Sequence, residues 1–309
     1  MRPSEEIDLP KDDCSALFYS LLLKDLGCSS NAAKIAYLFG ADDHRVKRSV
    51  RMIDWTKPAQ GLAHYWSNGT PDGSTFEKVM KMAAIVRSGS KGGRKISEIR
   101  CERGADIARK LLLPDATAEA IRNLDEHWNG RGTPQGLKGE QISLLGRLCC
   151  LAQTVEVFFS TCGLSSAMEV AQQRRGKWFD PYLVDALASF QNETSFWSRL
   201  YSSDLIGEIS QWEPEDTILF ADDACLYRIA EAFAAVVDAK SPWTYQHSTR
   251  VADSAVGMAK EFGCPPEMIR DLRRAALLHD IGKLGVPNLV LDKPGKTDRR
   301  RIPADSSAN

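Results

Sequence analysis

The chain predicts an all-α fold. Apolar residues recur at helical spacing from one end to the other, strand-like alternation is nearly absent, and Gly, Ser, Asn and Pro clusters break the apolar runs at helix-length intervals. At 309 residues and 34.2 kDa there is chain enough for two compact units or one large one. Apolar residues at 43% and charged residues at 26% describe an ordinary globular protein rather than a disordered or fibrous one. Forty Lys and Arg against 41 Asp and Glu leave a formal charge of −1, so no global field exists to hold nucleic acid or an anionic membrane. Met1 to Pro10 is polar and acidic, and no stretch approaches the roughly 18 apolar residues of a spanning helix, so a cytoplasmic protein is expected. The eight cysteines form no CxxC pair and no regular spacing; reduced, mostly buried thiols are expected.

Taken in order, apolar runs at Ala16 to Leu23, Ile107 to Leu113 and Ile142 to Phe159 read as helices. Ser88-Gly-Ser-Lys-Gly-Gly-Arg94 and Asn129-Gly-Arg-Gly-Thr-Pro-Gln-Gly136 read as surface loops between them. The first follows no strand, so it is not read as a phosphate cradle. Residues 190–222 turn polar and aromatic without a sustained period, marking a junction. Beyond it Leu226, Ile229, Ala230, Phe233, Val236 and Val237 fall on one helix face, expected to pack in a core. A further helix carries the face His247, Val251, Ala255, Met258, Ala259 and Phe262 and stops at Gly263. Pro265-Pro266-Glu267 then opens another, with the face Met268, Leu272, Ala275, Ala276 and His279. Consecutive helices joined by so short a turn pack antiparallel. His247 and His279 are therefore expected to meet from the buried faces of the pair.

Leu278-His279-Asp280-Ile281-Gly282-Lys283 is the most specific stretch. Gly282 ends the helix, which frees its last turn to present His279 and Asp280 to one ion. An imidazole and a carboxylate together suit a divalent metal such as Mn, Fe, Zn or Mg, and the carboxylate can also bridge two ions. His247 supplies a third ligand. Lys283, three residues past Asp280, can hold a phosphate oxygen as a point charge.

These residues resemble a known family. Ser241-Pro-Trp-Thr-Tyr-Gln-His-Ser-Thr-Arg-Val251, Leu277-Leu-His-Asp-Ile-Gly-Lys-Leu-Gly-Val-Pro-Asn288 and Leu291-Asp-Lys-Pro-Gly295 look like the first half of an HD-GYP domain, a bacterial HD-type phosphohydrolase that cleaves cyclic di-GMP. The resemblance implies metal ligation by His247, His279 and Asp280, with Mn or Fe ahead of Mg or Zn. It also implies that Asp280 and Lys283 are catalytic, and that Lys283 contacts the substrate phosphate. The fold it implies is a set of HD-domain-like helical bundles.

The earlier part of the chain looks like the same family in a worn form. Leu22-Leu-Lys-Asp-Leu-Gly27 aligns with Leu277-Leu-His-Asp-Ile-Gly282, so Lys24 stands in a metal histidine's place. Leu124-Asp-Glu-His-Trp-Asn-Gly-Arg-Gly-Thr-Pro134 resembles the family's His-His-Glu-x-x-Asp-Gly-x-Gly-Tyr-Pro segment, with Leu124 and Asp125 replacing its two histidines and Thr133 its tyrosine. Arg100 and Gln153 replace two further ligands. An ammonium or guanidinium has no lone pair to offer, so this repeat is expected to be silent, and His127 falls at a non-ligand position. The expected division is a degenerate unit over 1–190, a helical connector over 191–240, the opening helices of an HD unit over 241–295, and a disordered tail over 296–309. The second unit is expected to stop short of its Gly-Tyr-Pro half.

The implied function is metal-dependent hydrolysis of a cyclic dinucleotide by activated water, giving a linear dinucleotide or mononucleotide. The competing reading is a non-catalytic regulatory or binding module in which the worn first repeat supplies packing or a dimer surface, and a homodimer, where one forms, is expected through the helical connector. No nucleic-acid or membrane partner is expected.

Overall fold

The computed structural model describes residues 9–34, 52–53, 58–68, 74–214, 222–241, 244 and 246–292, and the tail expected over 296–309 lies outside them. The described residues are all-α, with no strand and only two isolated bridges, Asn129 with Lys138 and Arg175 with Phe179. Helix α1 (Lys11–Leu23) leads into a 3₁₀ turn at Leu26–Asn31; α2 spans Pro58–Asn68 and α3 Thr75–Lys110. Then come α4 (Asp115–Asn123), α5 (Leu144–Cys162), α6 (Leu164–Gln173), α7 (Pro181–Ser189), α8 (Thr194–Arg199) and α9 (Leu205–Ser210). The remaining helices are α10 (Asp223–Asp238), α11 (His247–Glu261), α12 (Pro266–Leu278) and, after a 3₁₀ turn at Ile281–Gly285, α13 (Asn288–Leu291).

The loop expected at 88–94 is helical instead, because α3 runs unbroken through it. Each glycine costs a helix interior about 1 kcal/mol, a sum that the long hydrogen-bonded stretches on either side outweigh. The loop at 129–136 forms as expected, with Gly130 and Gly136 in the left-handed region.

The larger core is centred on α5. Ser143 caps this helix by accepting the Gly146 N–H, and Gly163, at φ 84°, ends it. Leu145, Leu148, Leu151 and Phe159 pack on Leu17 of α1, Ile121 of α4, Leu183 and Leu187 of α7, and Trp197 of α8. Full burial of each such side chain contributes about 1.5–3 kcal/mol. Contrary to the expectation from the sequence, α5 is long and apolar enough to cross a membrane by length and composition; 56% of that stretch is buried in the bundle. Its Cys149 and Cys150 are pushed up to about 12 by burial, so they rest as inert thiols. Of the eight cysteines four are buried, three are part-exposed, Cys162 is exposed, and none is bridged.

A smaller core joins Ala230 and Ala234 of α10 to Ala252 of α11 and to Ala276 and Leu277 of α12. A third cluster joins the two: Ala232 and Val236 of α10 pack on Ile107 of α3, with Leu26, Leu111 and Leu284 around them. Helix α10 is therefore gripped from two sides through its small residues. This corrects the stripe read from the sequence. Ala230, Val236 and Val237 are buried, whereas Leu226, Ile229 and Phe233 stay more than a third exposed. The same correction applies to α11 and α12, whose seam runs through Ala252, Val256, Ala259 and Ala276 while Met258, Phe262 and Met268 face outward.

Candidate metal centre

The α11–α12 hairpin builds the site. Gly263, at φ 69°, turns the chain, and the Cys264 N–H returns to the Ala259 carbonyl at 3.0 Å. Pro266 in the first turn of α12 suits a position that needs no N–H donor. Antiparallel packing then sets the start of α11 beside the end of α12. His247 is the first residue of α11, and His279 caps α12 just before the chain tightens into the 3₁₀ turn.

The three residues singled out for a metal do meet. The rings of His247 and His279 lie 5.3 Å apart at an interplanar angle of 58°. Oδ2 of Asp280 is 3.3 Å from Nε2 of His279 and 3.7 Å from Nε2 of His247. All three ligand atoms fall within 4.8 Å of one another, and among the described residues they form the one such cluster. Adjacent ligand atoms held about 2.1 Å from a common ion sit roughly 3–3.5 Å apart, so the donor set fits a divalent metal with small adjustments. Nδ1 of His279 lies 2.8 Å from the Ala276 carbonyl oxygen. A carbonyl can only accept, so Nδ1 carries the proton and the lone pair of Nε2 points at the cluster.

One expectation needs correcting. The rings do not project from buried helix faces; the His247 and His279 side chains keep 40% and 36% of their exposure, because each sits at a helix end. The site is an open mouth. Nζ of Lys283 pairs with Oδ2 of Asp280 at 2.5 Å. Partial burial works to raise the Asp280 pKa. The Lys283 hydrogen bond and charge, with the two imidazoles behind, outweigh this and hold it below the usual carboxylate value.

In the larger bundle, the residues read from the sequence as a worn site bond to one another and to their neighbours. Lys24 pairs with Asp25, and Arg100 pairs with Asp125. Ser97 donates to Asp125 at 2.9 Å, Thr133 donates to Ser97 at 2.8 Å, and Gln153 donates to the Leu124 carbonyl at 3.1 Å. His127 stacks on Trp178 with ring centroids 4.1 Å apart. Sequence reasoning missed Glu126, which is buried. Its carboxylate accepts the backbone N–H groups of Gln135, Gly136 and Leu137 at 2.6–3.0 Å, folding the 130–138 loop around itself. An acid beside a glycine-rich loop was the available signal.

Fold and site together define an HD-domain protein. HD-domain family models match residues 90–183 and 244–305. The 3'3'-cGAMP-specific phosphodiesterase 3 of Vibrio cholerae is 40% identical over 95% of this chain, and the chain spans 64% of that relative's length. A cyclic di-GMP phosphodiesterase of Pseudomonas aeruginosa is 35% identical over 31% of this chain and 20% of its own. A crystal structure of a cyclic GMP-AMP-specific phosphodiesterase of V. cholerae superposes with a TM-score of 0.68 at 37% identity, covering 96% of this chain and 67% of that one. The chain belongs to the HD-domain family, in its HD-GYP branch.

Proposed function

We propose that this chain carries the metal-binding half of a cyclic-dinucleotide phosphodiesterase, with His247, His279 and Asp280 as ligands and Lys283 as the phosphate-contacting cation. The observation that carries the reading is the convergence of two imidazoles and one carboxylate where two antiparallel helices end. A divalent ion held there, Mn or Fe ahead of Mg or Zn, would supply an activated water and neutralise phosphoryl charge. The chain's own residues do the rest. The Ala276 carbonyl keeps His279 in the metal-binding tautomer. Lys283 pairs with Asp280 and offers its positive charge to a phosphate oxygen at the open mouth.

The relative matched along nearly the whole chain makes 3'3'-cGAMP the first substrate to test, with cyclic di-GMP second. The reading includes the division into a silent unit over 1–190, a connector over 191–240 that can serve a homodimer, and an HD unit over 241–295. It also includes a cytoplasmic setting, which the eight unbridged cysteines support. The silence of the first unit is supported by Lys24 and Arg100, the two cations at would-be ligand positions, each already paired with a carboxylate.

The test is metal content and turnover of both dinucleotides after reconstitution with Mn or Fe, compared with His279→Ala and Asp280→Ala. Both variants should lose the ion and any turnover. Turnover that survives both removes the site, and an ion bound without turnover favours the regulatory reading.

A further inference from the structure

The ligands of the centre sit where helix packing holds them least. His247 opens α11 and His279 follows the last residue of α12, so the alanine seam between the helices stops short of both. Yet both arms are tied to one short segment, residues 238–241 at the end of α10. We propose that Asp238 and Lys240 are positioning residues, a buried clasp that sets the separation of the two arms of the metal centre; the inference rests on the metal-site reading above.

Asp238 is 6% exposed and Lys240 3%. The Asp238 carboxylate accepts the Ser248 N–H at 3.2 and 3.3 Å and the Ser248 hydroxyl at 2.7 Å. Ser248 is the neighbour of His247, and α11 has no side-chain cap of its own from Gln246. Asp238 therefore caps α11 from another helix, placing an anion at its positive end and fixing where His247 starts. Lys240 reaches the other way and donates to the Leu284 carbonyl at 2.9 Å, next to Lys283. The clasp is itself braced. Asn288 donates to the Lys240 carbonyl at 2.8 Å, and Ser241 donates to Asp292 at 2.7 Å. Thr244 donates to the Asp238 carbonyl at 3.0 Å.

Burying a carboxylate and an ammonium is costly, and neither of these bonds joins the two to each other. Each is directed at one arm of the centre. Charge-assisted hydrogen bonds are the shorter and stronger kind, suited to fixing a distance rather than adding bulk stability. The base of the clasp is also fixed, because α10 packs on Ile107 through Ala232 and Val236, in the same cluster that takes in Leu284.

The experiment uses the full chain with Asp238→Asn, Lys240→Met, Ser248→Ala as a milder deletion, and Asp253→Asn, an exposed partner of Arg273, as control. Amide hydrogen exchange is read without metal, and Mn affinity is read by titration. Asp238→Asn and Ser248→Ala should speed exchange over 247–250, and Lys240→Met over 281–285, by about tenfold or more with the rest unchanged. The Mn dissociation constant should rise about 10–100-fold in both clasp variants, and Lys240→Arg should recover most of the loss. Parent-like exchange in folded Ser248→Ala and Lys240→Met overturns the clasp whether or not metal binds. A parent that takes up no Mn sinks the metal reading, and the exchange data then decide the clasp alone.

Discussion

At Arg100 a single guanidinium is bonded to Asp125 in a pocket that also holds Ser97 and Thr133. Burial opposes its charge, but the acidic groups of Cys28, Cys101 and Asp25 outweigh that and hold its pKa above the ordinary value. Removing it leaves the Asp125 carboxylate uncompensated. Arg100→Ala should therefore cost about 2–3 kcal/mol by urea denaturation, somewhat under the 3–5 of a fully buried pair because part of the pair is exposed. Arg100→Leu combined with Asp125→Leu should recover most of it. A second residue-scale prediction concerns Cys149 and Cys150, whose folded pKa values are raised to about 12. Their neutral thiols contribute stability that is fully present below the unfolded value of about 8.5 and lost as pH climbs toward 12. The urea midpoint should hold from pH 7 to 8 and then fall, and at pH 8 a thiol reagent should label exposed Cys162 well before either of them. The meeting of His247, His279 and Asp280 was legible in the sequence, because a short turn between two helices brings their far ends together. The tautomer of His279 was not, because it depends on a backbone carbonyl that only the cap geometry supplies.

Among the elements, what counts is how closely backbones approach. A β-carbon at Gly27 would lie 1.9 Å from the Arg100 carbonyl oxygen, so the turn after α1 touches the backbone of α3. Gly27→Ala should force them apart and cost about 1–3 kcal/mol, read as a lowered melting temperature. The α11–α12 seam works the same way: Ala252→Leu should overpack it, shift His247 against His279, and weaken Mn binding more than it weakens the fold. Helix existence and the hairpin turn were readable from period, Gly263 and Pro266. The buried faces were not. Periodicity weighs large apolar side chains, whereas α10, α11 and α12 meet through alanines and leave Leu226, Met258 and Phe262 outside. Nor could local propensity show α3 crossing its glycines, since the stabilising hydrogen bonds lie beyond that segment.

For the molecule as a whole, the join between the two bundles decides behaviour. Ile107 belongs to the larger bundle yet packs with Val236, and Leu284 beside Lys283 belongs to the same cluster. Ile107→Ala should cost about 2–4 kcal/mol and, through that cluster, also raise the Mn dissociation constant of a site formed by none of the larger bundle's residues. Titration of the folded variant checks this. That the chain carries two stretches of HD-domain text was readable in the sequence, and family models match both. Its consequence for α10, pressed between both bundles, needed the coordinates.

The worn pocket bears on how the protein fares in a cell short of transition metals. A bundle stitched by its own arginine and aspartate has no dissociable part to lose. On the metal reading proposed above, starvation for that ion would idle the histidine mouth while its neighbour stays assembled, ready for the next supply.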